Sequence, residues 1–226
     1  MDIRHFYIEQ GKGEPILFLH GNGEDSGYFV HQMDAFAEHY HIYAVDTRGH
    51  GRTPRGSAPF TISQFADDLK EFMDAHKIER AHILGFSDGG NIALMFAIRY
   101  PERVNKLILN GANLDPSGVK RKEQSWIEDA YARAIEHEQE GPEAKRKAEL
   151  LGLMVNDPHI PEEDLAKVTA KTLVIAGTDD MIEEEHTKAI HAGISGSELI
   201  FIEGDHFIAS QNPEAFNQAV LSFLKA

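Results

Sequence analysis

Ser87 stands in the segment GFSDGG (85–90), where its neighbours favour covalent chemistry. The segment fits the pattern G-x-S-x-G, and it lies between an apolar run at 81–84 and a helical pattern at 91–100. A serine on a strained turn between a strand and a helix needs small flanking residues, because a Cβ at either glycine would crowd the bend. The amides that begin the helix can stabilise negative charge on a substrate oxygen. The pattern predicts a nucleophile, with an ordinary helix-capping serine as the alternative.

A serine hydroxyl is a weak nucleophile at neutral pH, so a base and a carboxylate must stand beside it. Asp180 follows the apolar run at 172–176, and His206 follows the run at 198–202. The carboxyl ends of parallel strands share one edge of a sheet, so Ser87, Asp180 and His206 are expected to meet there. His206 would take the proton of the serine, and Asp180 would orient the imidazole and stabilise its charged form.

Short apolar runs alternate with longer amphipathic segments along the chain. Six runs are predicted as buried strands, at 16–19, 41–45, 81–84, 106–109, 172–176 and 198–202. The amphipathic segments at 62–76 and 213–224 repeat apolar residues at helical spacing. This alternation predicts an α/β fold with a mostly parallel central sheet flanked by helices. An opening strand at 5–8 is predicted to form an antiparallel hairpin with the next strand through Gly11-Lys12-Gly13, at the edge of the sheet.

The region 114–168 is highly charged and interrupts this alternation. It contains two predicted helices, at 124–139 and 143–155, separated by Gly141 and Pro142. We therefore expect a short helical lid at 114–168, inserted into a core formed by 1–113 and 169–226.

Apolar side chains recur along the first lid helix, at Trp126, Ile127, Ala130, Tyr131, Ala134 and Ile135. We expect this stripe to face the edge of the sheet where a ligand would enter, and plain packing is an equal alternative. Trp126, together with Phe207 beside the candidate base, is predicted to contact the substrate.

The segments HGNG, DTRGHGRT, GFSDGG, LVIAGTDDMI and EGDHF together resemble the ordered motif set of the α/β-hydrolase fold superfamily. The resemblance covers most of the chain outside the lid, and it places the first strand at the position of the family's usual second strand. It also favours Asp180 over Asp179, because in this family the acid lies three residues after the glycine that ends its strand. Asp205 is then a loop residue.

The same resemblance assigns an oxyanion hole of two backbone amides. One would come from Asn22, on the loop after the strand at 16–19, and the other from Asp88, which follows the nucleophile. The segment SDGG is also similar to that of valacyclovir hydrolase-like enzymes, where an acidic group near the site suits a substrate with an amine. A solvated surface carboxylate at Asp88 is the favoured alternative.

These residues together predict hydrolysis of a small carboxylic ester through an acyl-enzyme, with a small-molecule acyl substrate and no cofactor. A thioesterase, an amidase, a carbon-carbon bond hydrolase or a ligand sensor that keeps the triad are the alternatives. His39 and His41 have no further ligands at suitable spacing, so no metal is expected.

The composition narrows the class of protein further. The net charge of −15 and the absence of a long Lys/Arg cluster argue against nucleic acid as a partner. The sequence contains no cysteine, which excludes a disulfide framework and a cysteine nucleophile. The N-terminal residues lack the apolar run of a signal peptide, and no stretch suits a membrane span. We expect a cytoplasmic monomer or homodimer that does not bind membranes.

Overall fold

The computed structural model describes residues 2–226 and contains one seven-stranded sheet. Its strands are β1 (Tyr7–Gly11), β2 (Glu14–Leu19), β3 (Tyr40–Val45), β4 (Ala81–Phe86), β5 (Val104–Asn110), β6 (Lys171–Gly177) and β7 (Glu198–Ile202). The strand order is β1-β3-β2-β4-β5-β6-β7, and every neighbouring pair is parallel except β1 with β3. The predicted α/β fold with a mostly parallel sheet is confirmed.

The predicted hairpin between the first two strands is wrong. Strand β1 lies at the edge and runs antiparallel as expected, but it pairs with β3, from Tyr7 opposite Val45 to Gly11 opposite His41. Strand β2 is buried along most of its length, and both of its edges are occupied by the parallel strands β3 and β4. An apolar strand of this kind takes a central position, so the more polar β1 can only extend the sheet beyond β3.

The described residues 2–226 form eight α-helices in addition to the sheet. They are α1 (Val30–Ala37), α2 (Ile62–Ala75), α3 (Asp88–Arg99), α4 (Arg121–His137), α5 (Pro142–Asn156), α6 (Glu184–Gly193), α7 (Ile208–Gln211) and α8 (Pro213–Lys225). Alternate residues of each strand point to opposite faces, so Leu17 and Leu19 of β2 join the core beneath α2, α3 and α6. Ile16 and Phe18 join the core beneath α1 and α8. Within residues 2–226 no helix is both long and apolar enough to cross a membrane.

Helices α4 and α5 lie in the connection between β5 and β6 and correspond to the two helices predicted in this region. We call this pair the helical insertion. It has a small apolar cluster of its own, in which Ala134 of α4 packs against Ala148 and Leu151 of α5. Half of the apolar stripe on α4, namely Ala130, Tyr131 and Ala134, belongs to this cluster, as the packing alternative expected, whereas Trp126 and Ile135 are exposed.

Candidate active site

Ser87 occupies the sharp turn between β4 and α3, with φ of 53° and ψ of −121°. Positive φ strains a residue with a side chain, and this position is held by close backbone packing. A Cβ at Gly85 would collide with the carbonyl oxygen of Gly89, and a Cβ at Gly89 would collide with that of Leu19. The two glycines of the motif are required because β4, α3 and β2 approach so closely at the turn.

The structure brings Ser87, His206 and Asp180 together at the carboxyl ends of β4, β7 and β6. The Nε2 atom of His206 lies 2.9 Å from Ser87 Oγ, and its Nδ1 atom lies 2.6 Å from Asp180 Oδ1. His206 and Asp180 are 5% and 4% exposed. With Asp180 ionised, Nδ1–H donates to its carboxylate, and Nε2 is free to accept the serine proton.

Asp180 is held as an anion by its surroundings. Burial acts to raise the pKa of this carboxyl, but the hydrogen bond and charge of His206 lower it, as do the amides of Ile182 and Gly177. The net shift of its pKa is downward. Those amides donate to Asp180 over 3.0 and 3.3 Å. The charge needed beside the imidazole is therefore maintained in a buried place.

The two other acids considered for this role lie elsewhere. Asp179 is exposed and its carboxylate lies 3.3 Å from Lys120 Nζ. Asp205 accepts hydrogen bonds from the amide of Phe207 at 2.7 Å and from the side chain of Gln211 at 2.7 Å, as a loop residue does. Of the three acids, only Asp180 hydrogen-bonds to His206.

Asn22 and Asp88, the candidates for the oxyanion hole, lie side by side. Asp88 is the first residue of α3, so its amide has no partner within the helix. The side-chain amide of Asn22 donates to Asp88 Oδ2 at 2.9 Å and to the carbonyl oxygen of Leu150 at 3.0 Å. Asn22 thus connects the loop after β2 to the turn at Ser87 and to helix α5 of the insertion.

The loop that carries Asn22 is held in place by His20, whose role the sequence did not reveal. This histidine is buried, and burial lowers its pKa. Its Nε2 accepts the amide of Thr47 at 3.0 Å, so the proton resides on Nδ1, which donates to the carbonyl oxygen of Gly21 at 2.8 Å. A neutral His20 therefore fixes the position of the HGNG loop relative to the loop after β3.

A cavity of about 330 Å³ opens onto Ser87. We call it the catalytic cavity; it is lined by Gly21, Asn22, Gly23, Glu24, Phe86, Ser87, Asp88, Asn113, Val119, Ile127, Met154, Asp157, Met181, Ile182, His206 and Phe207. Phe207 lines this cavity and is 42% exposed, with its ring centroid 5.6 Å from that of His206. Trp126 lies outside this cavity and is 65% exposed, whereas its neighbour Ile127 reaches the lining.

A profile of the family described as alpha/beta hydrolase fold matches residues 14–156. The chain is 30% identical to "Putative carbamate hydrolase RutD" of Rhizobium rhizogenes, a match that covers 97% of this chain and 95% of that protein. The chain belongs to the alpha/beta hydrolase family. The resemblance inferred from the ordered motifs is thereby confirmed.

Solved structures of similar fold superpose over nearly the whole chain. Est816, described as an N-acyl homoserine lactone degrading enzyme, is 26% identical, with a TM-score of 0.79 over 98% of this chain and 97% of that chain. The bromoperoxidase of Bacillus anthracis is 22% identical, with a TM-score of 0.84 over 99% of this chain and 96% of that chain. The second likeness is one of fold alone.

Three carboxyl groups face the catalytic cavity of this hydrolase: Glu24, Asp88 and Asp157. Burial raises the pKa of Glu24 to about 7 and that of Asp88 to about 6, and it also raises the pKa of Asp157. Repulsion from Asp157 adds to the shift at Asp88, while hydrogen bonds from Asn22 and Asn91 oppose it. Among the described residues no lysine or arginine lines this cavity. Its interior is therefore acidic.

Asp88 is 8% exposed, so the favoured interpretation of it as a solvated surface carboxylate is wrong. Its carboxylate lies between Asn22, on the loop after β2, and Asn91 of α3. Asn91 donates to Asp88 Oδ1 at 3.3 Å and to Asn113 Oδ1 at 2.9 Å. These asparagines were not singled out from the sequence, although the position of Asn113 just after β5 was an available signal.

Gly111, also just after β5, makes room for the base. It has φ of 62°, and a Cβ there would lie 2.7 Å from His206 Cε1. A larger residue at this position would displace the imidazole from Ser87.

Proposed function

We propose that this protein is a serine hydrolase that cleaves a small carboxylic ester or a related acyl bond through an acyl-enzyme on Ser87. The observation that carries the proposal is the continuous chain of contacts from Ser87 Oγ to His206 at 2.9 Å and from His206 to Asp180 at 2.6 Å. A hydroxyl in hydrogen-bond reach of an oriented imidazole has the geometry of an activated nucleophile.

The first half-reaction transfers the acyl group to the serine. Ser87 Oγ attacks the carbonyl carbon while its proton passes to His206 Nε2. The carbonyl oxygen becomes an oxyanion, which the backbone amides of Asn22 and Asp88 would stabilise. The bond from the carbonyl carbon to the leaving oxygen then breaks as His206 gives its proton to that oxygen, which departs as an alcohol.

The second half-reaction returns the enzyme to its starting state. His206 takes a proton from water as the water oxygen attacks the acyl carbon, and the bond to Ser87 Oγ breaks with return of that proton to the serine. The product is a carboxylic acid, which ionises at neutral pH. The carboxyls of Glu24, Asp88 and Asp157 then repel it, which favours product release.

The acidic lining also restricts the substrate. An anionic substrate would meet three carboxyl groups without a compensating cation, whereas a neutral or cationic substrate would not. Burial of Asp88 next to Ser87 supports the hypothesis that a substrate amine binds there. We expect Asp88→Asn to reduce the preference for aminoacyl esters over simple acyl esters about tenfold. An unchanged preference would contradict the hypothesis that a substrate amine binds at Asp88.

A carbamate ester is a second candidate, favoured by the match to the RutD protein. The same attack on a carbonyl carbon would cleave it. The acidic cavity favours a neutral carbamate ester over a carbamate anion. A lactone, the class of substrate in the description of Est816, is a cyclic ester and belongs in the same test.

The test compares the unmodified protein with Ser87→Ala on p-nitrophenyl acetate, a p-nitrophenyl carbamate ester and a simple lactone. We expect a burst followed by turnover on at least one of these substrates, and loss of both in Ser87→Ala. Comparable activity in the two proteins would remove Ser87 as the nucleophile. Absence of activity in both, with an intact circular dichroism spectrum, would favour the ligand-sensor alternative.

A further inference from the structure

A second cavity, which we call the outer groove, adjoins the catalytic cavity. It has a volume of about 350 Å³ and is lined by Lys122, Glu123, Trp126, Ile127, Met154 and Met181. Ile127, Met154 and Met181 line both cavities. The two cavities therefore meet at these three apolar side chains, two of which are flexible methionines that adapt to a passing ligand.

The outer groove differs from the catalytic cavity in chemistry. Four of its six lining residues are apolar, and its two charged residues, Lys122 and Glu123, have opposite signs. The catalytic cavity instead contains three carboxyls and the polar groups of the reaction centre. A ligand that occupies both would place its reacting polar group inside and an apolar group outside.

Trp126 is the one aromatic side chain among the described residues that line the outer groove, and it is the single tryptophan of the sequence. Only five large hydrophobic side chains of residues 2–226 are exposed, and two of them, Trp126 and Phe207, line these adjoining cavities. Scattered exposed apolar residues need no explanation, but two aromatic rings at one site entrance indicate a ligand surface.

We propose that the acyl substrate carries an extended apolar chain that passes between Ile127, Met154 and Met181 and lies against Trp126 in the outer groove. This inference rests on acyl hydrolysis at Ser87, and it replaces an ester of modest size by one with a medium or long chain. The continuity of the two cavities identifies the occupant as part of the substrate rather than a separate partner.

Binding is tested by the fluorescence of Trp126 in the Ser87→Ala protein, which cannot turn the ester over. Titration with methyl decanoate should shift the emission to shorter wavelength and saturate, whereas methyl acetate should leave the emission wavelength unchanged. Equal responses to the two esters would overturn the proposal. An emission shift that depends on protein concentration alone would show that a second copy of the chain covers Trp126, and would also overturn it.

Kinetics provide the second readout, as the ratio of kcat/KM for p-nitrophenyl decanoate to that for p-nitrophenyl acetate. Trp126→Ala should lower this ratio about tenfold, mainly through KM, because the contact is made equally in the ground and transition states. Ile135→Ala, which removes another exposed apolar residue of α4 outside both cavities, should leave the ratio unchanged.

The two proposals fail in different ways. If neither ester is hydrolysed in a Ser87-dependent manner, the proposed function fails, and the fluorescence titration still decides whether the groove binds an apolar chain. If both esters are hydrolysed but Trp126→Ala leaves the ratio unchanged, only the outer subsite is wrong.

Discussion

The two sides of helix α5 face cavities of opposite charge. On one side lies the catalytic cavity, with three carboxyls and no lysine or arginine among the described residues. On the other side lies a groove of about 630 Å³ between α5 and the loop that follows β3. We call it the basic groove, because its charged lining residues are Arg55, Lys145, Arg146 and Glu149.

Most charged side chains of the basic groove form hydrogen bonds or ion pairs within the protein. Arg55 Nε donates to both carboxylate oxygens of Glu149 at 3.0 Å, and Arg146 Nε donates to the carbonyl oxygen of Gly49 at 3.1 Å. Both contacts join α5 to the loop after β3. Within residues 2–226 no lysine or arginine lines the catalytic cavity beside its carboxyls, so we expect their charge to act on a substrate. Charged contacts join α5 to the loop after β3 on one side, and we propose that charge selects the substrate on the other.

The largest effect on activity is expected from removing the charge of Asp180, on the catalytic side of α5. Asp180→Asn keeps the shape of the side chain but removes the charge beside His206, and it should lower kcat on p-nitrophenyl acetate about 10⁴-fold. Asp179→Asn is the matched control, since Asp179 is exposed and does not contact the base. Its kcat should change less than about twofold. Similar losses in the two variants would contradict the assignment of Asp180.

A smaller effect concerns pH and the charge of the substrate. The raised pKa values of Asp88 and Glu24, about 6 and about 7, mean that both carboxyls ionise as the pH rises from 5.5 to 8. The ratio of kcat/KM for acetylcholine to that for its neutral analogue 3,3-dimethylbutyl acetate should therefore rise about fivefold over this range. Glu24→Gln should flatten the rise near pH 7. A ratio that does not change with pH would show that these carboxyls do not face the substrate.

The carboxyl of Glu24 should also affect the stability of the fold. The pKa of Glu24 is raised in the folded state, so folding favours its protonated form, and stability is lost as the pH rises from 4.5 towards 7. Glu24→Gln should raise the free energy of unfolding at pH 8 by roughly 1 kcal/mol, a value discounted because the side chain is only partly buried. At pH 4.5 the variant should equal the unmodified protein in urea denaturation. A gain of the same size at both pH values would contradict this explanation.

The smallest effects are expected in the basic groove. Arg55→Met removes the ion pair with Glu149 and should lower the free energy of unfolding by about 0.5–1 kcal/mol. Lys145→Met, which alters an exposed lysine of the same groove, should leave stability within about 0.5 kcal/mol of the unmodified protein. Thermal unfolding measures both. A larger loss of stability in Lys145→Met than in Arg55→Met would contradict the claim that the ion pair between Arg55 and Glu149 holds α5 in place.

The sheet and the convergence of Ser87, Asp180 and His206 could be predicted because they depend on local patterns. Buried parallel strands are short apolar runs, and their carboxyl ends must share an edge, so the order of motifs fixes which residues meet. The pairing of β1 could not be predicted in this way, because it depends on which strand edges remain free after the sheet assembles.

The surroundings of the candidate site were harder to predict for a different reason. The stripe on α4 shows that one face is apolar, but not that Ala134 packs on α5, Ile127 reaches the catalytic cavity and Trp126 stays exposed. The burial of Asp88 likewise results from contacts between segments far apart in sequence. Such contacts determine pKa values and cavity shape, and no local pattern encodes them.

The central claim, that Ser87 is a nucleophile activated by His206, is tested most directly by covalent labelling with a fluorophosphonate and intact-mass spectrometry. We expect one adduct on the unmodified protein, mapped to Ser87 by peptide analysis. Ser87→Ala should give no adduct, and His206→Gln should label at least about 10³-fold more slowly. An adduct of equal rate in Ser87→Ala, or labelling that does not depend on His206, would contradict the claim.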